Sequence, residues 1–164
     1  MEVIQKNGYE LHCLSIFEDI LEKLVAEVEH LASTQDDFYS HPRYKLFEDV
    51  TDVITSRVPS NPNAQEFRQG KTLDKSAASC GKAKYLNWRR VKSGLPNRYR
   101  LFYRYNSTPP KSIVYAWLND ESTLRKEGSK TDVYVVFAHM LSSGTVPNSW
   151  KELIECAEPL KQGA

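Results

Sequence analysis

An α+β architecture, with helices packed on one face of an antiparallel sheet, follows from three features of the sequence. Apolar residues recur at helical spacing in two early segments and one late one. Three strand-like segments stand in succession between residues 88 and 118, and turn residues separate them. The expected order is β-α-α-β-β-β-α-α, within one domain spanning residues 1–164.

Residues 8–14 alternate well enough for a short first strand. A helix is expected from Ser15, because Ser15 and Glu18 have the S-x-x-E spacing of a capping box. Phe17, Ile20, Leu21, Leu24, Val28 and Leu31 then fall on one helical face. A second helix should run from Pro42, tolerated in a first turn, to just before Pro59. Its inner stripe is Leu46, Phe47, Val50, Val53 and Ile54. Residues 59–87 hold Pro59, Pro62, Gly70 and a Ser/Ala/Lys-rich stretch at 75–84, and read as a long irregular connection. Strands are expected at 88–93, 98–106 and 112–118, joined by Gly-Leu-Pro-Asn (94–97) and Thr-Pro-Pro (108–110) turns. A helix from Thr131 to Ser143 turns Val133, Val136, Phe137, Met140 and Leu141 inward and stops at Gly144. The last helix, 149–157, opens with a second capping box, Ser149 to Glu152.

Bulk composition (40% hydrophobic, 26% charged) is ordinary for a soluble globular protein. The longest apolar run, Val133 to Ala138, is too short to span a bilayer. The first residues carry Glu2 and Glu10 and no apolar stretch, unlike a secretion signal. Cys13, Cys80 and Cys156 are scattered and odd in number, so the expectation is reduced thiols in a cytoplasm. Charge is distributed unevenly. Residues 1–66 hold 5 Lys/Arg against 13 Asp/Glu, a net −8, whereas residues 67–130 hold 15 against 4, a net +11. Residues 131–164 carry −2. A basic middle of this kind suits a polyanion such as nucleic acid; a solvated basic face balanced by acidic helices is the alternative.

The 98–106 segment localises that charge. Alternation puts Tyr99, Leu101, Tyr103 and Tyr105 on one face and Arg98, Arg100, Phe102 and Arg104 on the other. Trp88, Arg90 and Lys92 form a second row of the same parity. With helices on the tyrosine face, the two rows would make an exposed basic-aromatic patch for phosphates and stacked RNA bases.

Other chemistries lack their motifs: there is no HExxH, GxSxG or P-loop. His12, His30, His41 and His139 lie outside the basic segment, and no metal-ligand set is visible. Asp120-Glu121 could hold a metal, or could simply contact a nearby Arg or Lys. A hydrolytic site would therefore rest on Arg, Lys and Tyr. RNA permits this because it supplies its own 2′-OH nucleophile, leaving orientation and charge stabilisation to the protein.

Five blocks then carry a resemblance over nearly the whole chain: Phe67–Leu73, Trp88–Lys92, Arg98–Tyr105, Trp117–Glu121 with Thr123–Arg125, and Lys130–Tyr134. Together they resemble the YhaV group of mRNA-interferase toxins in the RelE superfamily, with residues 75–84 as an insertion. The resemblance implies a RelE-like fold, cleavage of mRNA, commonly on the ribosome, and no cofactor. It also implies a PrlF-like, AbrB-type antitoxin as partner. By motif, the paired sheet lysines of that scheme fall on Arg90 and Lys92 and the strand arginine on Arg100. The arginine beyond the last strand falls on Arg125, and the tyrosine on Tyr134. Arg90 keeps the charge of a lysine but is too basic to accept a proton. Two spacings differ: the 93–97 turn is one residue longer, and an Asn-Asp-Glu loop replaces a short turn. Lys71, Trp88, Arg98, Phe102, Arg104 and Lys130 are the expected RNA-binding residues. The superfamily also contains gyrase poisons, so a non-catalytic inhibitor and a plain RNA-binding module are the competing readings.

Overall fold

The computed structural model describes residues 3–69, 72–73, 85 and 87–161. Lys71 and the 75–84 insertion lie outside them. The strands are β1 (Gln5–Lys6), β2 (Tyr9–Cys13), β3 (Arg89–Val91), β4 (Leu101–Asn106), β5 (Ser112–Leu118) and β6 (Glu158–Pro159). The helices are α1 (Ser15–Thr34), α2 (Pro42–Asp52), α3 (Val58–Ser60), α4 (Val133–Ser142) and α5 (Trp150–Cys156). Among the described residues the expected elements follow in that order, with β1, α3 and β6 among the short additions.

Two expectations about the sheet are corrected. It is mixed, not antiparallel: the strands run β1-β2-β5-β4-β3, and β2 pairs with β5 in parallel. Helices also cover both faces. One face packs Leu11, Leu101, Tyr103, Ile113 and Tyr115 against Phe17, Leu21 and Leu24 of α1 and Leu46 and Val50 of α2. The other packs Phe102, Val114, Ala116 and Trp117 against Val133, Phe137 and Leu141 of α4 and Leu153 of α5. Every residue of β5 is buried, and its nearly unbroken apolar run is the signature of a strand covered on both sides. Phe102 stacks on Phe137 at 4.0 Å and on Trp117 at 6.2 Å between ring centroids, which fixes α4 to the sheet.

Local devices also depart from expectation. Ser15 is the first residue of α1 and not its cap. The cap position is Leu14, without a side-chain hydrogen bond, so that capping box is not formed. Glu18 forms an ion pair instead with Lys161 at 2.7 Å. Pro59 does not end the second helix. The chain widens into a π-helical turn over Val53–Arg57 and continues into α3. In that turn Val58 N–H donates to Val53 O. Proline at 59 has no N–H for the next carbonyl in the series, Ile54 O. The buried Tyr115 hydroxyl supplies the missing donor, at 2.7 Å.

Gly94 has φ +96, and a Cβ there would fall 1.5 Å from Arg57 Nη1, which donates to Ser93 O at 2.7 Å. The 94–97 turn therefore needs glycine at its first position. Among the described residues no helix is long and apolar enough to cross a membrane.

Candidate active site

Strand β3 and the residue directly before β4 bring Arg90 and Arg100 to the Tyr134 hydroxyl, which the first turn of α4 supplies. Both guanidiniums donate to one oxygen: Arg90 Nε to Tyr134 Oη at 3.1 Å, and Arg100 Nε to the same atom at 3.3 Å. A hydroxyl has two acceptor lone pairs and one proton. With both lone pairs engaged, the Tyr134 proton is left to point away from the two arginines. Arg125, from the loop after β5, holds its guanidinium 5.0 Å over the Tyr134 ring. Its Nη1 pairs with Asp132 Oδ1 at 2.9 Å.

The remaining donors are fixed by backbone. Arg90 Nη1 donates to Glu66 O at 3.0 Å and Arg100 Nη1 to Tyr99 O at 2.8 Å. Among the described residues, Asp132 is the one carboxylate in an ion pair with any of these three arginines. Two guanidiniums thus meet at a single oxygen with no acid of their own. Like charges this close raise the energy of the empty site and lower that of a site holding an anion. Arg100 and Tyr134 are buried and form its floor; Arg90 and Arg125 are partly exposed and form its mouth. A cavity of about 380 Å³ adjoins, lined by Arg125, Lys130, Asp132 and Val135 among others.

The resemblance thus brought Arg90, Arg100, Arg125 and Tyr134 together. Lys92 is exposed just past the end of β3, and no contact joins it to the cluster. Arg98 and Lys130 are exposed as well. Arg98 stands outside β4 at φ +72, its carbonyl held by Arg125 N at 2.9 Å and Asn119 Nδ2 at 3.2 Å.

The exposed stacking face is corrected. Trp88 and Phe102 are fully buried in the core beneath α4, since the face expected to meet solvent is the one that helix covers. Arg104 is half-buried, with Nη1 donating to Asn148 O and its guanidinium 5.8 Å over the Trp88 ring. Burial and the nearby Arg89 charge push its pKa down.

Two residues that sequence reasoning passed over hold the site. Asn119 is 1% exposed; its Oδ1 accepts from Arg100 N at 2.8 Å, and its Nδ2 also donates to Thr123 O at 2.9 Å. An Asn directly after an apolar strand run is the available signal, because a strand end buried against backbone needs both a donor and an acceptor. Asp132 is the other, at the N-cap of α4. Asp120 and Glu121 follow the plainer reading. Asp120 caps a short turn by accepting from Ser122, which holds its carboxyl below the usual range, and Glu121 pairs with Arg43 at 3.3 Å. Among the described residues no group of three or more His, Cys, Asp and Glu could hold a metal ion.

Residues 11–158 match the family described as a toxin with endonuclease activity, of toxin–antitoxin system. The chain is 40% identical over 153 residues to Toxin YhaV of Escherichia coli O6:H1 (strain CFT073), covering 93% of this chain and 94% of that one. It is 41% identical over 148 residues to Ribonuclease toxin YhaV of Escherichia coli strain K12, covering 90% of each. No solved structure matches. On a match that spans the central strands, both helical layers and every residue of the arginine–tyrosine cluster, the chain belongs to the YhaV family of toxins with endonuclease activity from toxin–antitoxin systems.

Proposed function

We propose that the chain, acting as one RelE-like domain over residues 1–164, is a cytoplasmic endoribonuclease that cuts mRNA without a resident metal. Its reading as a ribonuclease is supported by the name of the relative from strain K12. The observation that carries the chemistry is the meeting of Arg90 and Arg100 at Tyr134 Oη with no carboxylate partner of their own. A phosphate fits that demand in charge, and a guanidinium fork fits it in shape.

In the proposed step the substrate's 2′-oxygen attacks the adjacent phosphorus while the bond to the 5′-oxygen breaks, leaving a 2′,3′-cyclic phosphate and a 5′-hydroxyl. Arg100 and Arg125 grip the scissile phosphate as negative charge builds on it, and Arg90 supports them. The Tyr134 hydroxyl donates its outward proton to the leaving 5′-oxygen. The 2′-OH proton passes to solvent water, and the Lys92 ammonium stabilises the charge that develops on the 2′-oxygen. Arg98, Arg104, Lys71 and Lys130 guide the strand. The partners are mRNA, free or on the ribosome, and a PrlF-like antitoxin of AbrB type.

The test uses purified protein on a synthetic RNA, the same RNA with 2′-deoxy sugars at the cut positions, and all-DNA of that sequence. Only the RNA should be cut, with 2′,3′-cyclic ends. Growth arrest on induction that leaves mRNA intact would replace this reading with the gyrase-poison one.

A further inference from the structure

We propose that Asp132 is a positioning residue for cleavage, holding Arg125 and Tyr134 in one geometry through the two oxygens of a single buried carboxylate. The inference rests on the reading of Arg125 and Tyr134 as parts of the active site, and its test separates the two.

Asp132 is 1% exposed and caps α4, its Oδ2 accepting from Tyr134 N at 3.1 Å. A cap needs no more than that, and Ser, Thr or Asn would serve equally. The second oxygen does something a cap does not require. Oδ1 accepts from Lys126 N at 2.5 Å and from Arg125 Nη1 at 2.9 Å. The carboxylate therefore joins three parts: the start of the helix that carries Tyr134, the backbone of the 126 loop, and the guanidinium lying over the Tyr134 ring.

Electrostatics point the same way. Three arginines converge on one tyrosine, and a buried negative charge on the outer one reduces their mutual repulsion while the site is empty. Pairing through Nη1 also leaves the other guanidinium nitrogens of Arg125 to face a phosphate. Without the charge, a long arginine side chain is free to swing into solvent, and holding it again costs rotamer entropy at each turnover.

The experiment is a double-mutant cycle on RNA-oligonucleotide cleavage, with thermal melting of every variant. Asp132→Asn keeps an oxygen for Tyr134 N and removes the charge that holds Arg125. It should lower kcat by roughly 10²-fold, the cost of a small misplacement of a reacting group, with KM changed only a few-fold and the melting midpoint near the parent's. Asp132→Asn/Arg125→Ala should be no slower than Arg125→Ala alone. If the Asn variant melts early, Asp132→Ser, which also caps, takes its place with the same expectation. Parental kcat in the Asn or Ser variant beside a crippled Arg125→Ala overturns the inference and leaves the active-site reading standing. Strictly additive losses in the double variant overturn it too. A parental rate in Arg125→Ala alone would overturn the reading on which it rests.

Discussion

Arg100 joins a proposed catalytic role to a structural one, because the residue is 7% exposed and its backbone N–H is tied to Asn119. Arg100→Ala should cut the cleavage rate by roughly 10²–10³, the loss typical of one preorganised charge contact. It should also destabilise the fold by about 1–3 kcal/mol, since it removes a donor from the buried Tyr134 oxygen. Arg100→Lys should restore the fold more than the rate, because lysine keeps the charge and loses the fork. Rate assays on the RNA oligonucleotide and thermal melts separate the two effects; a parental rate in Arg100→Ala would remove it from the site. Cys13 supplies a pH prediction. Burial pushes its thiol up to about 12, with the Glu18 and Glu158 charges adding to the rise. The thiol should resist iodoacetamide in the folded protein at pH 8, while the exposed Cys156 reacts, as mass spectrometry would report. The folded pKa lies above the ordinary thiol value of 9.0. Its stabilising contribution is therefore complete below about 9 and is lost as pH climbs towards about 12.

Helix α4 is held by rings and started by a carboxylate, so its two ends should respond differently to substitution. Phe137 stacks on Phe102 and Trp117, and Phe137→Ala should cost about 3–5 kcal/mol in denaturant unfolding. Cleavage should fall with it, because Tyr134 stands on the same helix one turn earlier. The serines at the starts of α1 and α5 make a sharper pair, being alike in sequence and unlike in structure. Ser149 accepts from Glu152 N at 3.2 Å, whereas Ser15 makes no cap. Ser149→Ala should cost about 1 kcal/mol and Ser15→Ala close to nothing, read as a shift in melting midpoint. Equal shifts would mean that the S-x-x-E spacing acts at both ends.

Charge is organised by element: acidic α1 and α2 cover one side of the sheet, and the described basic residues of 67–130 stand on β3, β4 and the loops beside them. RNA affinity should therefore fall steeply with salt, as release of condensed counterions requires. Replacing exposed Arg98 with Ala should flatten that slope by about one contact. A binding constant unchanged between low and physiological salt would remove the basic surface from the argument. Cleavage of naked RNA should persist in excess EDTA, because the proposed step uses guanidinium, phenol and ammonium groups and no metal. Loss of activity that magnesium restores would instead make Asp120 and Glu121 candidates for metal ligands.

Much of this protein is legible locally. A helical period of apolar residues identifies α1, α2 and α4, and alternation assigns Tyr103 and Phe102 to opposite faces of β4, where they are found. The blocks around Arg90, Arg100, Arg125 and Tyr134 were recognisable as family motifs before any distance was known. Long-range pairing was not legible. The parallel register of β2 on β5 joins Leu11 to Ile113, and no local pattern encodes which distant strand a segment will meet. The second helical layer was missed for the same reason. A strand row of Arg, Phe and Arg reads as solvent-facing, but α4 covers Phe102 and leaves Arg100 buried against Tyr134. The shared oxygen of Tyr134, the amide of Asn119 and the carboxylate of Asp132 acquire their meaning only when segments 7 to 44 residues apart converge. Periodicity reports which side of an element avoids water; what covers that side is set by packing between elements, and on that packing the arginine–tyrosine site depends.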